Sequence, residues 1–213
     1  MALPFTVEEF FGVFEAYNRA MWPLHIVAYG LYVVAVVLLF RRGALSDRVL
    51  SAIVGGYWIW TGAAYHIGYF SEINGAAYLF GILFVGEGLL FVAMGTLGRR
   101  VQFRFTWDAW GFVGAALFDY ATIVYPLLGL LWHRAVEAPW FGLTPCPTVI
   151  FTLGLMLFAQ GPGRLLLFAI PLSWSVVGGS AAILLDVPQD YGLIAAGVVG
   201  TVFLLTHARR DAG

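Results

Sequence analysis

Apolar positions run along this chain in blocks long enough to cross a bilayer. Stretches at 21–40, 49–70, 76–97, 109–131, 165–185 and 191–207 each approach the ~20 residues that span about 30 Å of hydrocarbon as a helix. A shorter block at 147–159 supplies only ~20 Å of helix and reads as a tilted or broken span, or as a re-entrant loop. Ahead of them, residues 6–19 follow a different rule. Val7, Phe10, Phe11, Phe14 and Tyr17 recur at helical spacing opposite Glu8, Glu9, Glu15 and Asn18, which predicts an amphipathic helix lying in the membrane interface. Thr6 and Glu9 have capping-box spacing, and Phe5 stands where it can pack on Phe10 across the first turn. This helix reads either as an anchor on the outer leaflet or as a lid over an outward-facing pocket.

Composition agrees with a bilayer as the main partner. Apolar and aromatic residues make up 61% of the 213 positions and charged residues only 11%, less than half the share in soluble domains. No cleavable signal pattern precedes the first apolar run, so that run is expected to act as its own anchor. All eleven basic residues are arginines, too few and too scattered for a nucleic-acid surface, and without lysine a retinal Schiff base is excluded. Their distribution sets the expected topology. With seven crossings and the N-terminus outside, Arg41, Arg42, Arg48, Arg99, Arg100, Arg104, Arg164, Arg209 and Arg210 lie inside, and only Arg19 and Arg134 outside. A re-entrant 147–159 reduces nine against two to six against five, which the positive-inside rule disfavours. The expected fold is therefore all-α, one integral membrane bundle of seven helices spanning 1–213, N-out and C-in, with an interfacial helix at its start.

Acids inside such a bundle are expensive and usually functional. Glu87 lies eleven residues into the third span and Asp119 ten residues into the fourth, so both sit ~15 Å deep. With no intramembrane arginine or lysine nearby, a protonated acid or two carboxyls sharing a proton is the expected resting state, as a proton or ion relay between spans or as a neutral packing contact. Small residues around them, Gly86, Gly88, Gly111 and Gly114, favour close helix approach. Ser173, Ser175 and the run from Gly178 to Ala182 read the same way, or as a substrate-lining face.

A second polar layer lies near the outer face. His25 is four residues inside the first span and His66 four residues from the end of the second, each ~6 Å below the surface. Tyr17, Glu72 and Asn74 share that level. Cys146 joins it at the mouth of the fifth span, where Pro145 and Pro147 hold the chain away from helix, so that the helix is expected to begin at Pro147. The expected ligand site is thus lined by His25, His66, Asn74 and Cys146, with Tyr17 and Glu72 at its rim. His25, His66 and Cys146 could hold a transition metal, and the two histidines could instead clamp a haem. The alternative is that each imidazole simply bonds a tyrosine, an asparagine or a backbone carbonyl.

The stretches Tyr65-His66, Ile73-Asn74-Gly75-Ala76-Ala77-Tyr78, Pro145-Cys146-Pro147-Thr148 with Ile150-Phe151-Thr152, and Ile170-Pro171-Leu172 with Trp174 and Gly178-Gly179-Ser180-Ala181-Ala182 resemble a family of small bacterial multi-span proteins described as a domain of unknown function. Pro4-Phe5-Thr6 and Tyr17-Asn18 fit it as well. The resemblance covers nearly the whole chain and implies the bacterial inner membrane, with no activity attached. The residues point first to transport or binding of a small solute or ion through an outward-facing polar site. A metal- or haem-bearing redox or sensor protein and an accessory subunit of a membrane complex follow. A zinc hydrolase of the seven-span kind would need several histidines and an acid at one level, and His207 lies at the opposite end from the others.

Overall fold

The computed structural model describes residues 4–41 and 43–211, with side chains as far as His207. Helix α1 (Val7–Met21) opens with the capping box its sequence calls for: the Thr6 hydroxyl accepts from the Glu9 N–H at 3.2 Å while Glu9 accepts from the Thr6 N–H at 2.7 Å. The Phe5 and Phe10 rings stack at 5.9 Å, closing the first turn. At Trp22-Pro23 the chain turns by 83° into α2 (Leu24–Phe40), so the amphipathic helix lies across the bundle rather than along it.

From there, α3 (Ala44–Trp60) continues as a π-helical segment, Thr61–Ile67. Helix α4 (Ala77–Phe91) likewise runs on as a π turn to Leu97. A third such turn, Tyr120–Val124, joins α5 (Ala109–Asp119) to α6 (Tyr125–Trp132). After α7 (Pro145–Met156) come α8 (Leu166–Leu185) and α9 (Tyr191–Asp211). One short antiparallel pair, β1 (Gln102–Phe103) with β2 (Ala159–Gln160), ties two loops together, with Gln102 opposite Gln160.

Among the described residues, four helical stretches are long and apolar enough to cross a membrane: Ala77–Leu97, Ala109–Trp132, Leu166–Leu185 and Pro188–His207. Taking α1 and α2 as one bent span makes five. Of the remaining two apolar runs, α3 is a helix of 17 residues with eight of them buried, and α7 is a helix of 12. Every residue of α7 except half-buried Cys146 is buried, so this short helix is the axis of the bundle and meets protein where a span would meet lipid. It starts two residues earlier than its sequence suggests. Pro145 and Pro147 both fall in the first turn, whose N–H groups have no intrahelical acceptor, so neither interrupts the hydrogen-bond ladder. Thr144, Thr148 and Thr152 form a buried stripe along α7, their hydroxyls donating to the carbonyls four residues back at 2.7–2.8 Å. Thr152 then accepts from the indole N–H of Trp58 at 2.9 Å, which fastens α3 to the axis. Of the expected inner arginines, Arg42 and the side chains of Arg209 and Arg210 lie outside the described residues.

Asp108 caps α5, accepting from the Gly111 N–H at 2.9 Å and the Thr106 hydroxyl at 2.8 Å. The Gly111 N–H, and then the Thr106 hydroxyl, hold its carboxyl below the usual carboxylate range. Because the folded pKa is depressed, the cap's contribution is fully present above the ordinary range and is lost as pH falls through the folded pKa. Asp108→Ala is expected to cost about 1 kcal/mol at neutral pH. The difference from wild type should shrink in acid, as read from thermal unfolding in detergent.

Candidate functional site

Where α1 crosses the bundle it covers a cavity of about 160 Å3 enclosed by the end of α3, the start of α4, the N-terminus of α7, α8 and the turn Pro188–Asp190. His66 forms one wall. Its position follows from the π-helical segment, whose i→i+5 bonding widens the turn so that adjacent residues, Tyr65 and His66, both point inward. The imidazole is 0% exposed and packed edge-on against Phe84 at 4.7 Å and Trp174 at 5.0 Å. Neither of its ring nitrogens has a hydrogen-bond partner. The Trp174 indole N–H, on α8, faces the Cys146 sulfur. A buried polar group normally finds a partner, so an imidazole with neither nitrogen bonded, facing a cavity, is placed to bond a ligand there.

Opposite them stands an acid. Asp190 arrives from the turn before α9, buried, and its Oδ1 accepts from the Tyr125 hydroxyl. The Cys146 thiol, in the first turn of α7, faces the same carboxyl. The turn itself is held by the Tyr120 hydroxyl, which donates to the Gln189 carbonyl at 2.7 Å. Tyr65, Phe70, Phe80 and Trp174 supply aromatic wall, and Asn74 and Ser180 lie at the edge. Asn74 is partly committed, accepting the Ala76 N–H at 3.1 Å.

The cover is Phe5, Phe10, Phe11 and Phe14 of the α1 region. It is fastened to the 133–144 loop and to α3 by polar bonds. Tyr17 donates to the Leu143 carbonyl at 2.9 Å and accepts from the Trp60 indole N–H at 2.9 Å. The Asn18 amide donates to the carbonyls of Val136 and Ala138, both at 2.8 Å. On the exposed side, Arg134 pairs with Glu15 at 2.7 Å and Glu137 at 2.6 Å, and the guanidinium holds the Glu137 carboxyl below the usual range.

Of the residues singled out in the sequence, His66, Asn74 and Cys146 meet in this cavity. His25 does not. It faces a separate hollow of about 670 Å3 beside Trp22, Tyr29 and Trp140, and its Nε2 is 3.2 Å from the Asn18 Oδ1. Tyr17 is buried and locked in hydrogen bonds beneath the cover rather than at a rim, and Glu72 is exposed. Among the described residues no group of three or more His, Cys, Asp or Glu side chains is placed to hold a metal ion, so His25, His66 and Cys146 do not form a centre. Nor do the two histidines, which line different hollows, face each other across a haem slot.

The midplane acids also part company. Glu87 is 0% exposed and both its oxygens lack a partner, one helical turn beyond the Phe84 that packs on His66. Asp119 is exposed, on the outward face of α5 with Phe112 and Ala116, and neither Glu87 oxygen bonds it, so the two carboxyls share no proton. Asp190, Tyr125 and Trp174 were not foreseen from the sequence. The signal available for the first was an acid between Pro188 and an apolar run, with no basic residue nearby.

No curated protein and no solved structure matches this chain. Residues 7–212 match DUF6064, a family of unknown function, and the chain belongs to that family.

Proposed function

We propose that this membrane protein binds, and in its working cycle transports, a small solute through the cavity beneath α1. The observation that carries the reading is His66, wholly buried in the wall of an enclosed cavity with both ring nitrogens unsatisfied. Leaving such groups without partners costs on the order of 1–3 kcal/mol each, and a bound solute recovers it. α1 acts as the lid: its apolar face closes the cavity, its polar face meets the interface, and the 83° bend at Trp22-Pro23 gives it a hinge. Unpartnered Glu87, one turn further along α4, extends the polar path away from the lid as the ion or proton relay. In this reading all seven apolar runs cross or fill the bilayer with the N-terminus outside, following the arginine asymmetry, in the inner membrane of a bacterium.

Cys146 is the chain's single cysteine, which makes the cavity its own reporter. A small membrane-impermeant methanethiosulfonate added to intact cells is expected to label it. Tyr17→Phe and Asn18→Ala, which loosen the lid, should each speed labelling by about tenfold, the effect of losing one or two hydrogen bonds of ~1 kcal/mol. Labelling only from the opposite side in inverted vesicles, or only after denaturation, would overturn both the orientation and the outward opening.

A further inference from the structure

The chemistry of the walls narrows the solute further, on the footing that this cavity is a solute site. We infer that its ligand is a small organic ammonium ion. Among the described residues that line the cavity, Asp190 is the one carboxyl and none is an arginine. Its contacts are a tyrosine hydroxyl and a thiol, neither of which brings positive charge. A buried carboxylate without a cation is costly, so this end of the cavity favours a ligand that supplies one. It disfavours an anion for the same reason.

The remaining walls decide which kind of cation. A divalent ion such as Ca2+ gathers about six to eight oxygens. Its lining side chains offer few: Asp190, Asn74, the Tyr65 hydroxyl, the Tyr125 hydroxyl already spent on Asp190, and Ser180, whose hydroxyl donates to the Val177 carbonyl at 2.7 Å. What it offers in quantity is aromatic surface from Tyr65, Phe70, Phe80 and Trp174. Their rings stand at steep angles to one another, Phe80 to Trp174 at 80° and 5.2 Å, so faces and edges enclose the space from several directions. Ring faces attract an alkylammonium by cation–π interaction, tryptophan most strongly, and more so when water is excluded. His66 completes the set, since a neutral imidazole nitrogen accepts from an N–H or a polarised C–H of the cation. Size agrees: about 160 Å3 holds on the order of five waters, enough for an ammonium head with its methyl groups.

Such a head could come from a free amine outside the cell or from a phospholipid of the outer leaflet. The experiment uses the full chain, purified in a zwitterion-free detergent. Choline and its uncharged isostere 3,3-dimethyl-1-butanol are titrated while tryptophan fluorescence is followed and Cys146 labelling is timed. Choline is expected to bind saturably, at least about tenfold tighter than the neutral isostere, and to slow labelling. Asp190→Asn should abolish that preference. Because the comparison of the two compounds needs only the unaltered protein, it stands even if the variant fails to fold. Equal affinity for the two, or no binding of choline while Cys146 still labels from outside, would overturn the ammonium assignment and leave a solute site. Failure of Cys146 to label at all would overturn the cavity reading beneath it. Repeating the titration in nanodiscs separates the sources. A headgroup ligand predicts that choline is outcompeted in phosphatidylcholine but not in phosphatidylglycerol, whereas a free amine binds equally in both.

Discussion

Alanine at Gly62 or Gly88 is expected to destabilise the protein by about 1–3 kcal/mol or more, the range for overpacking a filled interior. The two helices α3 and α4 meet backbone to backbone along glycines spaced seven apart, Gly55 and Gly62 on one side, Gly81 and Gly88 on the other. A Cβ on Gly88 would lie 2.5 Å from the Gly55 carbonyl oxygen, and one on Gly62 would lie 2.7 Å from that of Gly81. No rotamer change relieves these clashes, because the atoms met are main chain. The helices must separate, and Trp58, Thr61 and His66 sit along the same seam. Gly56 provides the control. A Cβ there meets nothing within 4 Å, so Gly56→Ala should be neutral or gain up to ~1 kcal/mol of helix propensity. Thermal unfolding in detergent, followed by circular dichroism, separates the cases. Equal melting temperatures for Gly56→Ala and Gly88→Ala would show that the seam is not close-packed.

Asp47→Ala is expected to cost about 3 kcal/mol, the low end of the range for stranding one member of a buried ion pair. Its side chain, 8% exposed, accepts from both terminal nitrogens of Arg104 at 2.8–3.1 Å and from the Phe103 N–H at 2.9 Å. Asp47 thereby holds β1, and β1 holds β2, so one carboxylate joins the loop after α4 and the loop after α7 to the start of α3. Truncation leaves a backbone donor and a guanidinium facing a cavity. Asp47→Asn, which keeps one acceptor oxygen, should recover part of the loss. Unfolding midpoints of the two variants measure this directly, and a midpoint for Asp47→Ala equal to wild type would remove the knot from the account of stability.

Much of the chain's architecture was legible from local order. The start of α1 follows from Thr6, Glu9 and Phe5, all within one turn of each other, and local hydrogen bonds need no knowledge of the rest of the fold. Long apolar runs such as 76–97 and 165–185 form helices because the bilayer leaves the backbone no other partner. Even there, α7, which the other helices bury, was read as a crossing, though a short one, tilted or broken. An apolar run says that water is excluded, and says nothing of whether lipid or protein excludes it.

The site divides the same way. The sequence by itself determined a membrane protein with costly polar groups, and it named His66, Asn74, Cys146 and Glu87 among them. It also paired His25 with His66 and Glu87 with Asp119, because residues at equal depth were assumed to meet. Depth follows from counting residues along an axis. The direction in which a side chain leaves that axis follows from the neighbours, and in helices apolar on every face no periodicity records it. A π-helical segment turned His66 inward beside Tyr65, while Asp119 took the outward face of α5. Asp190, 124 positions after His66 and outside any apolar run, was brought to the same cavity only by the packing of α8 and α9 around α7. That convergence of distant side chains belongs to the tertiary structure, because contact between helices is set by their shapes on all sides at once.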